Sequence, residues 1–85
     1  MRIFTSKRFD REFDRLIERL QRTAEQKLAL FAANPWHPSL RLKRLASERG
    51  LWEISVTMSC RITREWTGED VTLRRVGTHS VLEQP

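Results

Sequence analysis

Residues 51–66 read Leu-Trp-Glu-Ile-Ser-Val-Thr-Met-Ser-Cys-Arg-Ile-Thr-Arg-Glu-Trp, and this stretch decides the fold. Apolar and polar side chains alternate from Trp52 to Met58, and the alternation returns from Cys60 to Trp66. A period of two residues is typical of β-strands that bury one face. Because few residues separate the two runs, they predict consecutive antiparallel strands.

Other short stretches extend this predicted sheet on both sides. Residues 40–43 alternate in the same way, and residues 71–76 form a last strand after the turn signal Thr-Gly-Glu-Asp at 67–70. Residues 3–5 add a possible N-terminal strand. One face of the sheet is expected to pack on helices and the other to meet solvent. The solvent face is predicted to carry Arg41, Lys43, Glu53, Ser55 and Arg61.

The first two-fifths of the chain predicts a helical hairpin. Apolar residues at helical spacing predict a first helix over residues 7–21. Thr23 to Gln26 has the form of a capping box and predicts the start of a second helix, which Asn34-Pro35 ends. The expectation is one α+β domain over residues 1–85, in which the hairpin packs on a mainly antiparallel sheet of four to five strands.

The charge balance points to an anionic partner. The 85 residues include 16 Lys and Arg against 11 Asp and Glu, a formal net charge of +5. Of the 16 basic residues 13 are Arg, whose planar fork binds two phosphate oxygens at once. A basic surface without a specific partner is the alternative reading.

Cysteine and histidine are too scarce for a disulfide or a zinc site. The chain has one cysteine, Cys60, and two histidines, so no metal or other cofactor is expected. Charged residues precede any long apolar run, and we therefore expect no signal peptide, no membrane association and a cytoplasmic protein.

Both histidines fall next to predicted strands, where loops often hold functional groups. His37 lies in Pro-Trp-His-Pro before the sheet, and His79 follows the last strand. Two imidazoles beside arginines suit RNA cleavage, because one accepts the proton of a ribose 2′-hydroxyl and the other protonates the leaving 5′-oxygen. Surface histidines without a catalytic role are the alternative.

Cys60 is predicted to be a small buried residue, and Glu53 a cross-strand partner of Arg61.

Four stretches carry a resemblance to a known family. They are residues 37–45, 51–56, 60–63 and 73–82, and the Val-Gly-Thr-His sequence at 76–79 is the most specific part. Together they resemble the RelE/ParE superfamily of bacterial toxins, with RelE-like toxins of the YafQ and YoeB type most similar. The resemblance covers nearly the whole chain, including the helical hairpin.

The resemblance implies the toxin of a toxin–antitoxin pair, which enters the ribosomal A site and cuts mRNA there without a metal. The implied partners are a cognate antitoxin, the ribosome and mRNA. By position, His79 resembles the C-terminal catalytic histidine, Arg75 the arginine that contacts the phosphate, and His37 the general base. Arg61 resembles a strand arginine shared by many members. The residues expected to bind the RNA backbone are Arg41, Lys43, Arg44 and Arg74.

Several positions depart from the family pattern. Ser55 stands where related toxins have a histidine or an arginine, and Ser59 and Cys60 replace an Asp-Trp pair. The chain has no tyrosine, and Glu83 replaces a terminal aromatic residue. Strict alternation from Val71 also turns Arg74 outward and Arg75 inward, so a functional Arg75 requires a β-bulge.

Two other functions remain open at this point. A ParE-like toxin inhibits DNA gyrase by binding and does not need the histidines. A binding module for RNA or protein, with decayed toxin chemistry, agrees with Ser55 and with the missing tyrosine.

Overall fold

The computed structural model describes residues 1–45 and 50–85, and of His79 the backbone only. The chain forms a five-stranded sheet with strand order β1-β5-β4-β3-β2 and two helices. β1 runs parallel to β5, and the other neighbours are antiparallel. In chain order the elements are β1 (Ile3–Thr5), α1 (Lys7–Asp14), α2 (Glu18–Ala33), a first 3-10 turn (Pro38–Leu40), β2 (Lys43–Arg44), β3 (Leu51–Ser55), β4 (Arg61–Thr67), β5 (Asp70–Gly77) and a C-terminal 3-10 turn (His79–Leu82).

The predicted α+β architecture is confirmed, but the break between the helices lies earlier than expected. α1 ends at Asp14 and α2 begins at Glu18, so a first helix to residue 21 and a helix start at Thr23 are wrong. The apolar spacing continues through the break and hides it. The Gln21 side chain donates to the Phe13 carbonyl oxygen across the break at 2.9 Å. α2 ends at Ala33, as Asn34-Pro35 predicted.

Two strand predictions also need correction. Residues 38–40 form a 3-10 turn, and only Lys43 and Arg44 of the following stretch join the sheet. β3 ends at Ser55, so Met58 lies in the β3–β4 turn and is 76% exposed. A short charged edge strand such as β2 resists pairing with another chain.

The core lies between the helices and one face of the sheet, here called the core face. Phe9, Ala24 and Phe31 of the helices are buried against strand residues of that face, which include Ile54, Ile62, Val71, Leu73 and Val76. Cys60 belongs to this cluster as predicted, and burial raises the pKa of its thiol. Within the described part of the chain, no helix is both long and apolar enough to cross a membrane.

One charged side chain is fully enclosed in the core. Arg64 has no exposed surface, and its guanidinium carbon lies 4.8–5.3 Å from the ring centres of Phe31, Trp52 and Trp66. None of its side-chain nitrogens has a hydrogen-bond partner among the described residues. Burial lowers the pKa of Arg64 to about 10. Cation–π contacts therefore provide its only described stabilisation.

Replacing Arg64 with methionine tests the cost of this buried charge. Unmet donors on a buried charge are costly, and apolar replacement of buried ion pairs is often neutral or stabilising by about 1–4 kcal/mol. We expect Arg64→Met to keep or raise the free energy of unfolding in urea. The exposed control Arg19→Met should change it by less than about 0.5 kcal/mol. A loss of more than about 1 kcal/mol in Arg64→Met would contradict this assignment.

Candidate functional site

The face of the sheet opposite the helices carries half of the predicted site residues. Ile54 pairs with Ile62 on the core face, so the alternate residues of these strands point the other way. We call this second face the outer face. Its members on β3, β4 and β5 include Glu53, Ser55, Arg61, Thr63, Glu65 and Thr72.

A β-bulge in β5 brings Arg75 to the outer face beside Arg74. Arg75 pairs with Thr63 and Leu73 with Arg64, which leaves Arg74 as the extra residue. The bulge shifts the alternation by one position, so Arg75 shares the outer face with Thr63. Arg74 also reaches that face, because its Nη1 donates to Glu65 Oε1 at 2.9 Å. The irregularity that a functional Arg75 requires is therefore present.

Residues at the start of α1 hold the bulge where β1 ends. β1 pairs with β5 only as far as Leu73. Beyond it, the Ser6 hydroxyl donates to the Arg74 carbonyl oxygen at 2.7 Å and accepts from the Phe9 N–H at 2.9 Å. This one side chain caps α1 and satisfies an open carbonyl group at the sheet edge.

Glu12 continues this contact along the edge of β5. Its carboxylate accepts from Arg75 Nη2 at 2.6 Å and from Arg75 Nε at 3.2 and 3.3 Å. It also accepts from the Val76 N–H at 3.4 Å. Burial raises the pKa of Glu12, but the hydrogen bonds and charge of Arg75 outweigh it, so the pKa is lowered overall. Sequence reasoning missed Glu12, because it stands in a run of alternating charges typical of a solvated helix face.

Arg61 is tied to its own hairpin. Its Nη1 donates to the carbonyl oxygens of Thr57 and Met58. Its Nε lies 3.5 Å from Glu53 Oε2, an ion pair in which both side chains are largely buried. The predicted pairing of Glu53 with Arg61 is confirmed. Arg61 therefore holds the β3–β4 turn, and it occupies the outer face directly opposite Gly77.

The outer face is not open to solvent along its whole length, which corrects the expectation of one solvent face. Thr63 is fully buried and donates to the Pro85 carbonyl oxygen at 3.3 Å. A Cβ at Gly77 would lie 3.0 Å from a Val81 methyl group, so the C-terminal turn packs closely over this strand. Residues 79–85 thus cover part of the outer face.

A groove remains between this C-terminal segment and α1. It has a volume of about 270 Å³ and is lined by Ser6, Arg8, Thr72, Arg74, Arg75, Gln84 and Pro85. Arg74 Nε donates to the Pro85 carbonyl oxygen at 3.1 Å, and Arg75 Nη1 to that of Gln84 at 3.2 Å. Three guanidinium groups around one groove suit an anionic ligand.

The turn that carries His37 and Arg41 meets the β3–β4 turn. Arg41 Nη1 lies 3.6 Å from Met58 Sδ, and Arg41 adopts a left-handed backbone with φ of 49°. A bulky residue is strained in that region. His37 Nδ1 accepts from the Ser39 N–H at 3.1 Å, so the hydrogen of the neutral ring is assigned to Nε2.

The structure brings several predicted residues to one end of the sheet and separates others. Arg61, the residues after Gly77 and the turn with Arg41 share that end. The backbone of His79 begins the C-terminal turn there, and its side chain lies outside the described residues. Lys43 pairs with Glu53 toward the outer face, whereas Arg44 pairs with Trp52 toward the core face. No three His, Cys, Asp or Glu side chains in the described ranges could hold a metal ion together.

The comparisons identify the fold. No protein-family model and no curated protein matches the sequence. Among 23 solved chains that match, E. coli YafQ has a TM-score of 0.78 at 19% identity and covers 96% of this chain and 98% of its own. A chain of the RelB-RelE antitoxin-toxin complex from Methanococcus jannaschii has a TM-score of 0.74 at 16% identity, with 95% of each chain covered. The YoeB/ParE toxin from Agrobacterium tumefaciens has a TM-score of 0.77 at 13% identity, with 93% of this chain and 99% of that chain covered.

Identities this low establish a shared fold. The chain has the fold of the RelE/ParE toxins, and RelE-like toxins are among its matches, so the resemblance seen in the sequence is confirmed at that level.

The Glu12–Arg75 pair predicts a specific dependence of stability on pH. Glu12→Gln should lower the free energy of unfolding by about 1–3 kcal/mol at pH 7, because it removes a charged hydrogen-bond acceptor. Since folding lowers the pKa of Glu12, the stabilisation exists above the ordinary glutamate pKa of about 4.3 and is lost as the pH falls through the lower folded-state value. Urea unfolding between about pH 7 and pH 3 measures this.

The matched control for that experiment is Glu18→Gln, which breaks an exposed ion pair with Arg22. It should change stability by less than about 0.5 kcal/mol. A Glu12→Gln effect that is equal at both ends of the pH range would contradict the role given to the carboxylate charge.

Proposed function

We propose that the protein is the toxin of a toxin–antitoxin pair and that it cuts mRNA in the ribosomal A site. The observation that carries this proposal is the bulge at Arg74. It turns Arg75 to the outer face beside Arg74, and β5 then leads directly to His79 at the end of the sheet that also holds Arg61. The solved structures that share the fold include toxins and toxin–antitoxin complexes, which supports the proposal.

The proposed chemistry uses a charged surface and an imidazole. Cleavage takes a proton from the ribose 2′-hydroxyl, joins that oxygen to phosphorus and breaks the bond to the 5′-oxygen, which gains a proton. Arg75 stabilises the charge that develops on the phosphate. Imidazole exchanges protons near neutral pH, so His79 is assigned to accept the 2′-hydroxyl proton and to pass a proton to the leaving 5′-oxygen.

His37 is proposed to bind the substrate rather than to act as the general base. The Ser39 N–H occupies the Nδ1 lone pair, and the Nε2–H of the neutral ring is then a donor. His37 is assigned to donate a hydrogen bond to the substrate, because the general-base role implied by the resemblance would require the bond from Ser39 to open. Arg41, Lys43 and Arg44 are assigned to the RNA backbone.

Cleavage mapping tests the enzymatic part. The purified protein is added to ribosomes programmed with a defined mRNA, and new 5′ ends are located by primer extension. We expect cuts confined to the A-site codon, absent from ribosome-free RNA, and reduced by at least about 100-fold in His79→Ala.

The outcomes separate the competing functions. Full cleavage by His79→Ala would contradict the role of this residue. Intact mRNA from a protein that arrests growth would favour gyrase inhibition, which a supercoiling assay detects. Intact mRNA without growth arrest would favour a binding module.

A cognate antitoxin is the proposed protein partner. The outer face and its groove are basic, so an acidic segment of the antitoxin is expected to cover them. Charge reversal of Lys43 and Arg75, which lie on the outer face, should weaken toxin–antitoxin binding and flatten its salt dependence, measured by calorimetry at several salt concentrations. An unchanged salt dependence would contradict this electrostatic contact.

A further inference from the structure

We infer that Glu12 is a positioning residue, which holds the Arg75 guanidinium at the wall of the groove so that it presents two donors to one phosphate group of the RNA. This inference rests on the proposed function and deepens it. Nothing in the charge pattern of α1 distinguishes Glu12 from its neighbours, and the assignment comes from its contacts.

The first step is the count of donors on Arg75. A guanidinium has five N–H donors in a fixed plane. Glu12 takes the side edge formed by Nε and Nη2, and the Gln84 carbonyl oxygen takes one hydrogen of Nη1. Three donors thus have partners. Among the described residues, one hydrogen on each terminal nitrogen has no partner, and the edge between Nη1 and Nη2 is the one that can bind two phosphate oxygens.

The second step is the position of this fork. Arg75 lines the groove, together with Arg8, Arg74 and Thr72. Its side chain is only 14% exposed and that of Glu12 only 20%. A partly buried pair with several hydrogen bonds holds a long side chain far better than an exposed ion pair does. The guanidinium is therefore placed before the substrate arrives.

The third step connects Glu12 to the bulge. Its Oε1 also accepts from the Val76 N–H, at the edge that β1 leaves open. One carboxylate thus fixes the guanidinium and the strand that carries it. Loss of the carboxylate should affect the rate of the chemical step more than binding, because displacement of a catalytic group by about 1 Å costs up to about 100-fold in rate.

The test compares three variants on programmed ribosomes. Glu12→Gln removes the charge, Glu12→Asp keeps a carboxylate, and Asp70→Asn is the matched control, since Asp70 also binds an arginine, Arg2, through two hydrogen bonds. The kcat and KM values are measured for each, with rates corrected for the folded fraction by circular dichroism. We expect Glu12→Gln to lower kcat by at least about 10-fold with KM within about 3-fold of wild type.

The remaining outcomes decide the inference. Glu12→Asp should recover part of the lost kcat, and Asp70→Asn should match wild type. Wild-type kcat in Glu12→Gln would overturn the inference, as would an equal loss in Asp70→Asn. If Glu12→Gln does not fold, the test uses Glu12→Asp, whose shorter side chain weakens the contacts with Arg75. A wild-type kcat in Glu12→Asp would then overturn the inference.

A second readout separates this inference from the proposed function. Hydrogen exchange at Arg75 Nε–H is measured by NMR in the free protein, without any substrate. We expect slow exchange in wild type and exchange at least about 10-fold faster in Glu12→Gln. If wild type cuts no mRNA, the proposed function fails. Faster exchange in Glu12→Gln would still support the positioning of Arg75 by Glu12. Equal exchange rates would overturn the inference whether or not the protein cuts RNA.

Discussion

The outer face depends on the contact between the start of α1 and the bulge in β5. β1 covers the edge of β5 only up to Leu73, and the polar groups beyond it need other partners. Ser6 supplies a donor for the Arg74 carbonyl oxygen, and Glu12 an acceptor for the Val76 N–H. Strict alternation without the bulge would direct Arg75 toward the core face. The same contact that closes the sheet edge therefore sets the orientation of the candidate site.

The arginines on the two faces of the sheet have different kinds of contact. On the core face, Arg64 is enclosed by aromatic rings without a described hydrogen-bond acceptor. On the outer face, Arg61 and Arg75 each bind a carboxylate and a main-chain carbonyl oxygen. Such contacts fix the direction of each guanidinium group. A surface of this kind suits the stabilisation of charge on a bound phosphate better than mobile surface lysines do.

The sequence predicted the features that depend on local pattern. Alternation located β3 and β4, and the signals at 67–70 and at Asn34-Pro35 located a turn and a helix end. The helix break near residue 16 was hidden because the apolar spacing runs through it. The bulge and the role of Glu12 depend on contacts between residues 63 positions apart, which no local pattern records. The cover formed by residues 79–85 was missed for the same reason.

The central claim is that the outer face beside Arg75 and His79 receives the scissile phosphate. The most direct measurement is a structure of the protein on a ribosome whose A-site codon carries 2′-O-methyl groups, which block cleavage but leave the phosphates in place. The account predicts a phosphate within hydrogen-bond distance of the Arg75 terminal nitrogens, with Glu12 still bound to the other edge of the guanidinium. An mRNA bound with no phosphate near Arg75, for example along the helices, would contradict it.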